Sequence, residues 1–229
     1  MQASSSTLRA LIACASLLGV QHAHANLLAN GSFESGTFNP PNRATMSLGA
    51  GSTAMAGWTV VNDTLSWIGT GNPWGLSASD GARFLDLTDY TTGAPFGGVS
   101  QVISTLPGAT YLLSFDLGSS TFWGRPDALT ASAAGASATF TSPGTGTNND
   151  WQHVSMQFTA VSVSTTVQLL GAKGAQYIGQ DNASVEFVSA PAAVPEPASW
   201  AMLMAGLVAI GRVAAWRASS SGSMHRPGN

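Results

Sequence analysis

Between Asn26 and Val188 apolar and polar residues alternate with a period of two in short runs, and clusters of Gly, Pro, Asn and Asp separate the runs. Successive side chains of a β-strand point to opposite faces of a sheet, so this period predicts half-buried strands. In "TYLLSFDLG" Tyr111, Leu113, Phe115 and Leu117 share one face, and Leu112, Ser114 and Asp116 share the other. "HVSMQFTA" sets Val154, Met156 and Phe158 against His153, Ser155 and Gln157. "TTVQLL" groups Val167 with Leu169, and "ASVEFV" groups Val185 with Phe187. Strands are expected to start near Leu27, Trp58, Phe84, Val99, Tyr111, Ala136, Val154, Val167 and Val185, with no helical pattern before Ala198 and no internal repeat. Short strands at this spacing, punctuated by turn residues, predict an all-β domain over residues 26–188, an antiparallel β-sandwich or jelly roll.

The two ends follow other patterns. Arg9 closes a polar segment, "ALIACASLLGV" is a short apolar run, and Ala23, His24 and Ala25 offer small residues for cleavage, so residues 1–25 are expected to be a signal peptide. Cys14, the single cysteine, would leave with it, and the exported chain would have no thiol for disulfides or thiolate metal sites. At the other end "SAPAAVPEPA" (189–198) supplies a Pro/Ala linker, assigned to residues 189–197. The apolar run from Ala198 to Gly211 makes about 21 Å of helix, short of a hydrocarbon core of roughly 30 Å. Continued through Arg212 to Trp216 it reaches about 28 Å, with Arg212 close enough to the end to snorkel. Residues 198–216 are therefore expected to form a transmembrane helix that holds the chain in a membrane, and residues 217–229 a basic, polar tail on the cytoplasmic side.

Charge narrows the range of partners. Of the eight Lys and Arg, Arg9, Arg212, Arg217 and Arg226 lie in the terminal segments, whereas all 11 acids lie between Glu34 and Glu196. That region keeps Arg43, Arg83, Arg125 and Lys173, a formal charge of 4 − 11 = −7. Nucleic acid is not an expected partner, because binding it requires a basic surface to neutralise phosphates.

The terminus "VPEPASWAMLMAGLVAIGRVAAWRA" (194–218) resembles a PEP-CTERM sorting signal, a Pro-Glu-Pro segment followed by an apolar helix and a basic end. Pro195, Glu196 and Pro197 match the motif itself and Trp200 the opening of the helix; Arg212 interrupts the helix, and Arg217 lies in a tail whose basic residues are scattered. The resemblance implies an exosortase-type processing enzyme as partner, and delivery to the cell surface or the extracellular space after a stage in the inner membrane. The domain itself resembles the choice-of-anchor C family, with a galactose-binding-like β-sandwich, through "NLLANGSFE" (26–34), "GW" (57–58), "DGARFLDL" (80–87), "GGVSQVISTLPGATYLLSFDLG" (97–118) and "GQDNASVEF" (179–187). What this implies is a sugar-binding-like module. In sandwiches of that kind a structural Ca2+ often joins the first and last strands, and the matching positions are Glu34, after Phe33, and Asp181. Set against this metal site is the plainer reading that both carboxylates bond nearby backbone amides.

Catalysis has few candidates. Strand parity points His153 away from the core, and no Gly-x-Ser-x-Gly elbow is present to activate a serine. Asp86 and Asp89, with Asp80 before them, read as turn-forming carboxylates more readily than as a glycosidase pair. Ligand binding by loop aromatics is better supplied, since the apolar faces of sugars stack on exposed rings while their hydroxyls take hydrogen bonds. "SWIGTGNPWG" carries Trp67 and Trp74, "DYTTGAPFGG" carries Tyr90, and "STFWGRPD" carries Trp123, Arg125 and Asp127; Trp58 and Trp151 open strands and are assigned to the core. The expected function is non-enzymatic: an envelope-sorted module that binds or organises extracellular polysaccharide. A structural surface or matrix protein without sugar binding, and an exported glycan-active enzyme, are the alternatives.

Overall fold

The computed structural model describes residues 25–42, 44–120, 122–123, 126–142, 150–191, 202–210 and 212. Residues 1–190 and 191–229 form separate units. The first contains eleven strands: β1 (Thr45–Leu48), β2 (Thr59–Val61), β3 (Leu65–Gly69), β4 (Arg83–Asp86), β5 (Gly98–Ser104), β6 (Thr110–Ser119), β7 (Asp127–Ala133), β8 (Ala136–Ser142), β9 (Asp150–Thr159), β10 (Ser164–Lys173) and β11 (Gly179–Ser189). They build a six-stranded sheet in the order β1-β3-β4-β11-β6-β9 and a five-stranded sheet in the order β2-β5-β10-β7-β8. The strand pairs of both sheets are antiparallel. The chain is thus an all-β sandwich.

The alternation read from the sequence places the core. Tyr111, Leu113, Phe115 and Leu117 of β6 are buried, and Val167 and Leu169 of β10 lie in the same core cluster. Val185 of β11 is part of it, and Phe187, Val154 and Met156 pack against it. Strands appear where the expectation had loops. Leu65–Gly69 is wholly buried, so it shows no alternation to read. Asp127–Ala133 is built from small residues whose contrast is weak, and the four-residue β1 is too short to show a period. Leu27, conversely, starts no strand. Instead the Asn26 side chain docks this segment on β11: its Nδ2 donates to the Ala183 carbonyl (3.1 Å), and its Oδ1 accepts from the amides of Leu28 and Val185 (2.9 Å each).

A second, smaller apolar cluster lies outside the main one. It contains Ile68, Leu76, Phe84 and Tyr177, with Trp74, Ala78, Tyr90, Trp123 and Trp151 packed against it. Ile68 and Phe84 are cross-strand partners in β3 and β4, while their neighbours Trp67 and Leu85 face the main core, so the small cluster covers the outer face of the six-stranded sheet. Trp151, expected in the main core, belongs here: its ring lies where a Cβ on Gly118 would meet it at 2.6 Å, edge-on to Phe84 at 5.8 Å between centroids.

In the second unit residues 202–210 and 212 are helical. Among the described residues no helix is long and apolar enough to cross a membrane. Residues 1–24 of the expected signal peptide, Cys14 among them, Pro195 to Pro197 and Arg217 lie outside the described residues; Arg212 is helical.

Candidate functional site

Four connections rise over the small outer cluster, and specific polar groups shape three of them. Asn72 folds the segment between β3 and β4: its Nδ2 donates to the carbonyls of Gly69 (3.1 Å) and Leu76 (2.6 Å), and its Oδ1 accepts from the amides of Trp74 (3.2 Å) and Leu76 (3.1 Å). With both polar atoms satisfied, the buried Asn72 fixes Trp74 above the sheet.

Asp86, fully buried at the end of β4, ties two further connections together. Its Oδ1 accepts from the amide and hydroxyl of Thr88 (2.9 Å each) and from the Ile178 amide (3.0 Å), and its Oδ2 accepts from the Tyr90 amide (3.3 Å). Burial pushes its pKa up to about 6, and the hydrogen bonds from Thr88, Ile178 and Tyr90 hold the rise back. Next to it Asp89 and Tyr90 both adopt left-handed backbone (φ 46° and 64°), a conformation that non-glycine residues take only when the surroundings impose it. The restraint is visible: Asp89 Oδ1 accepts from the hydroxyls of Ser47 (2.7 Å) and Ser66 (2.5 Å). Gln176 is also left-handed (φ 67°), and its amide donates to the Thr91 carbonyl (2.8 Å).

Gly118 and Gly179 are cross-strand neighbours under these loops. A Cβ on Gly179 would lie 2.4 Å from the Tyr177 hydroxyl and 2.8 Å from the Gly118 Cα, so only glycine lets Tyr177 lie this close to the sheet.

The result is a pocket of about 160 Å3 lined by Trp74, Leu76, Tyr90, Trp123, Gln176 and Tyr177. Trp74 stacks on Tyr90 with centroids 4.7 Å apart and planes at 28°. Phe122, 73% exposed, leans on Trp123 at 5.7 Å. Burial pushes the Tyr90 phenol up to about 12, and lifts the Tyr177 phenol well above the usual tyrosine range. Carboxylate charges add to both shifts, Asp86 and Asp89 at Tyr90, and Asp86, Asp127 and Asp181 at Tyr177.

Of the six residues that the sequence assigned to ligand binding, Trp74, Tyr90 and Trp123 meet in this pocket. Trp67 and Asp127 do not. Trp67 lies in β3 opposite Met46 and Leu85, fully buried in the main core against Phe38 at 4.8 Å. Asp127 is the first residue of β7, opposite Ser142 and fully buried. Both were read as loop residues because the strands that bury them were not recognised. Arg125 lies outside the described residues. Leu76, Gln176 and Tyr177 were missed; the Gly-rich "GAKGAQYIGQ" around Tyr177, which requires close backbone approach at Gly174 and Gly179, was the available signal.

The carboxylates proposed for calcium are drawn to one turn. Glu34 Oε1 accepts from the amides of Ala82 (2.7 Å) and Arg83 (2.6 Å), and the Arg83 guanidinium bonds the Glu34 carbonyl. Asp181 Oδ2 accepts from the amides of Ser79 (2.8 Å) and Asp80 (3.0 Å), and its Oδ1 from the Asn182 amide (2.7 Å). Burial pushes the pKa of Asp181 up to about 7 against these hydrogen bonds. Calcium takes six to eight oxygen ligands, whereas the partners gathered at these two groups are hydrogen donors, backbone amides and the Ser79 hydroxyl (3.1 Å from Asp181 Oδ2). Among the described residues no group of three or more His, Cys, Asp or Glu is placed to hold a metal ion. What the structure shows is two carboxylates that pin residues 79–83 by their amides. His153, expected at the surface, holds Asp116 Oδ1 through its Nδ1 (2.7 Å).

Residues 26–177 match the family described as protein of unknown function DUF642. The chain belongs to the DUF642 family. Residues 193–218 match the PEP-CTERM protein-sorting motif, which marks this DUF642 chain for export, processing by an exosortase and sorting to the cell envelope. No curated protein matches the chain. Among solved structures it is similar to a sugar-binding protein, described as putative, from Bacteroides thetaiotaomicron (14% identity, 72% of this chain and 100% of that one, TM-score 0.46). It is also similar to TmCBM61 in complex with β-1,4-galactotriose (20% identity, 70% and 97%, TM-score 0.41). A third is a family 35 carbohydrate binding module from Clostridium thermocellum (11% identity, 61% and 97%, TM-score 0.39).

Proposed function

We propose that this DUF642 protein is a non-catalytic module that, once sorted to the cell surface or the extracellular matrix, binds or organises polysaccharide through the pocket of Trp74, Tyr90, Trp123 and Tyr177. The observation that carries this reading is the convergence of four aromatic rings from four separate connections on one pocket that also holds the amide of Gln176. Rings offer faces for the C–H surface of a sugar, and an amide offers both a donor and an acceptor to its hydroxyls. The buried carboxylate and the left-handed turns beneath hold the rings in place before any ligand arrives, which lowers the entropy lost on binding.

A non-catalytic role is supported by what the nearby acids do. Asp86 accepts from three backbone amides, and Asp89 from two serine hydroxyls, so both act as braces for the loops. A polysaccharide array probed with the full chain in detergent, followed by affinity chromatography on the best glycan, tests the reading. Wild type is expected to be retained, and Trp74→Ala or Trp123→Ala to lose at least about tenfold in affinity while melting normally. A folded wild-type chain retained by no glycan would leave the structural surface role; turnover of a labelled glycan would establish an enzyme.

A further inference from the structure

The end of the sandwich opposite the pocket carries a different surface. There β5 leads into β6 through residues 105–109, and β9 leads into β10 through residues 160–163. Hydrogen bonds join the two turns: the Thr105 amide donates to the Val163 carbonyl (3.0 Å), its hydroxyl to the Ser162 carbonyl (2.9 Å), and the Gly108 amide to the Ala160 carbonyl (2.7 Å). Leu106 (51% exposed), Val161 (77%) and Val163 (73%) are open to solvent on this tip, while Ile103, Ala109 and Ala160 of the same segments are buried. None of residues 102–111 and 157–167 is charged. Single exposed apolar side chains are ordinary on a soluble domain, but several gathered on one uncharged tip mark an interaction surface. The first turn also has no unmet backbone donor. Besides the amides of Thr105 and Gly108, that of Leu106 donates to the Tyr111 hydroxyl (2.8 Å), that of Ala109 to the Leu106 carbonyl (3.0 Å), and Pro107 has none. Backbone that leaves water for lipid must satisfy its donors internally, and this turn does.

The place where the chain leaves the domain selects the occupant. Ser189, the last residue of β11, pairs with Thr110, and Thr110 pairs with Thr159, so the exit stands beside both turns, with the half-exposed Val188 next to it. Eight residues, 190–197, separate Ser189 from the apolar stretch that begins at Ala198, a reach of at most about 30 Å. Once that stretch enters a bilayer, the tether keeps this end of the domain close to the lipid. Gly179, under the pocket, is at the other end of β11. We propose that, before processing, the tip of Leu106, Val161 and Val163 docks on the lipid surface, its apolar side chains in the interfacial region and the pocket held away from the membrane. The inference rests on the reading of residues 198–216 as a membrane segment, and adds a second, reversible contact made by the domain itself.

Fluorescence quenching by lipid tests it. The full chain carrying Cys14→Ser and one of Leu106→Cys, Val163→Cys or Thr92→Cys, the last exposed near the pocket, is labelled with a small fluorophore and reconstituted into phosphatidylcholine vesicles with and without nitroxide-bearing lipid. Labels replacing Leu106 and Val163 are expected to be quenched at least about twofold more than the label replacing Thr92, because side chains of the interfacial region lie within reach of the nitroxide. Adding Val161→Asp is expected to remove the difference while the chain still floats with the vesicles; a difference that survives would assign it to the tether alone and overturn the docking. Equal quenching at the three positions in a floating chain would overturn the docking and leave the membrane segment standing, and a chain that does not float would overturn both. Energy transfer between chains labelled in place of Val163, without quenching by the lipid, would assign the tip to a second copy and overturn the proposal.

Discussion

Gln180 lies on the core side of β11, between Leu85 and Leu117 in register, fully buried and with neither its Oε1 nor its Nε2 hydrogen-bonded. A buried polar group without a partner forfeits its hydration, about 1–3 kcal/mol, so an apolar residue of similar size is favoured there. Gln180→Leu is accordingly expected to raise the urea midpoint by the equivalent of about 1–2 kcal/mol. Asp181 and Asp86 give a second residue-scale prediction. Their folded pKa values, about 7 and about 6, lie above the ordinary 3.8 through burial. Between roughly pH 4 and 7 the folded chain therefore binds more protons than the unfolded one. The stability this brings is fully present below about pH 4 and is lost as the pH rises through 6 and 7. Urea melts are expected to show a more stable domain at pH 5 than at pH 8, with Asp181→Asn flattening the difference. A profile that instead rises from pH 5 to 8 would show that the hydrogen bonds at these carboxylates outweigh their burial.

At the level of elements, the turn at residues 79–83 is where both ends of the sandwich domain meet. Glu34 takes the amides of Ala82 and Arg83, and Asp181, at the start of β11, takes those of Ser79 and Asp80. The resemblance had pointed to these two residues as a pair, and the geometry makes them a pair through one stretch of backbone. Glu34→Ala removes the acceptor from one partly buried amide, that of Arg83, and one exposed amide, that of Ala82, and is expected to destabilise the domain by about 0.5–1.5 kcal/mol, seen as a lower melting temperature. Because these carboxylates are already taken up by backbone amides and the Ser79 hydroxyl, millimolar calcium is expected to leave the melting curve of the wild type where chelator leaves it. A rise with calcium would mean that the amides turn away and carbonyl oxygens replace them.

For the whole molecule the sorting motif decides the experiment. The match over residues 193–218 places Pro195, Glu196 and Pro197 between the sandwich domain and the helical residues 202–210. A processing enzyme that cuts near this segment would free the domain from its tail. In a host that carries an exosortase, separate tags on domain and tail are expected to part, with the domain tag reaching the surface or the medium. In a host without one, both tags are expected to stay together in the inner membrane. An intact chain in the membrane of the exosortase-bearing host would assign the tail to permanent anchoring.

The strand period, the turn residues and the short motifs determined by themselves that the chain is an all-β sandwich, which side of β6, β9, β10 and β11 faces the core, and that a PEP-CTERM signal follows. These properties are local: alternation is a feature of consecutive residues, and a sorting motif is read as a linear segment. Three of the pocket residues were also legible, because Trp74, Tyr90 and Trp123 stand in Gly- and Pro-rich connections where a large ring has no strand to bury it. Only the tertiary structure decided that those three rings meet, that Tyr177 and Gln176 join them, and that Trp67 and Asp127 belong inside. Trp67 and Asp127 were misplaced because β3 is buried on both faces and β7 is built of small residues, so neither shows the contrast that marks a strand. The pocket depends on Asp86 reaching Ile178 across 92 positions of sequence and on two glycines made neighbours by the pairing of β6 with β11. Such contacts are set by strand order and register, which the packing of the two sheets fixes and no single segment encodes.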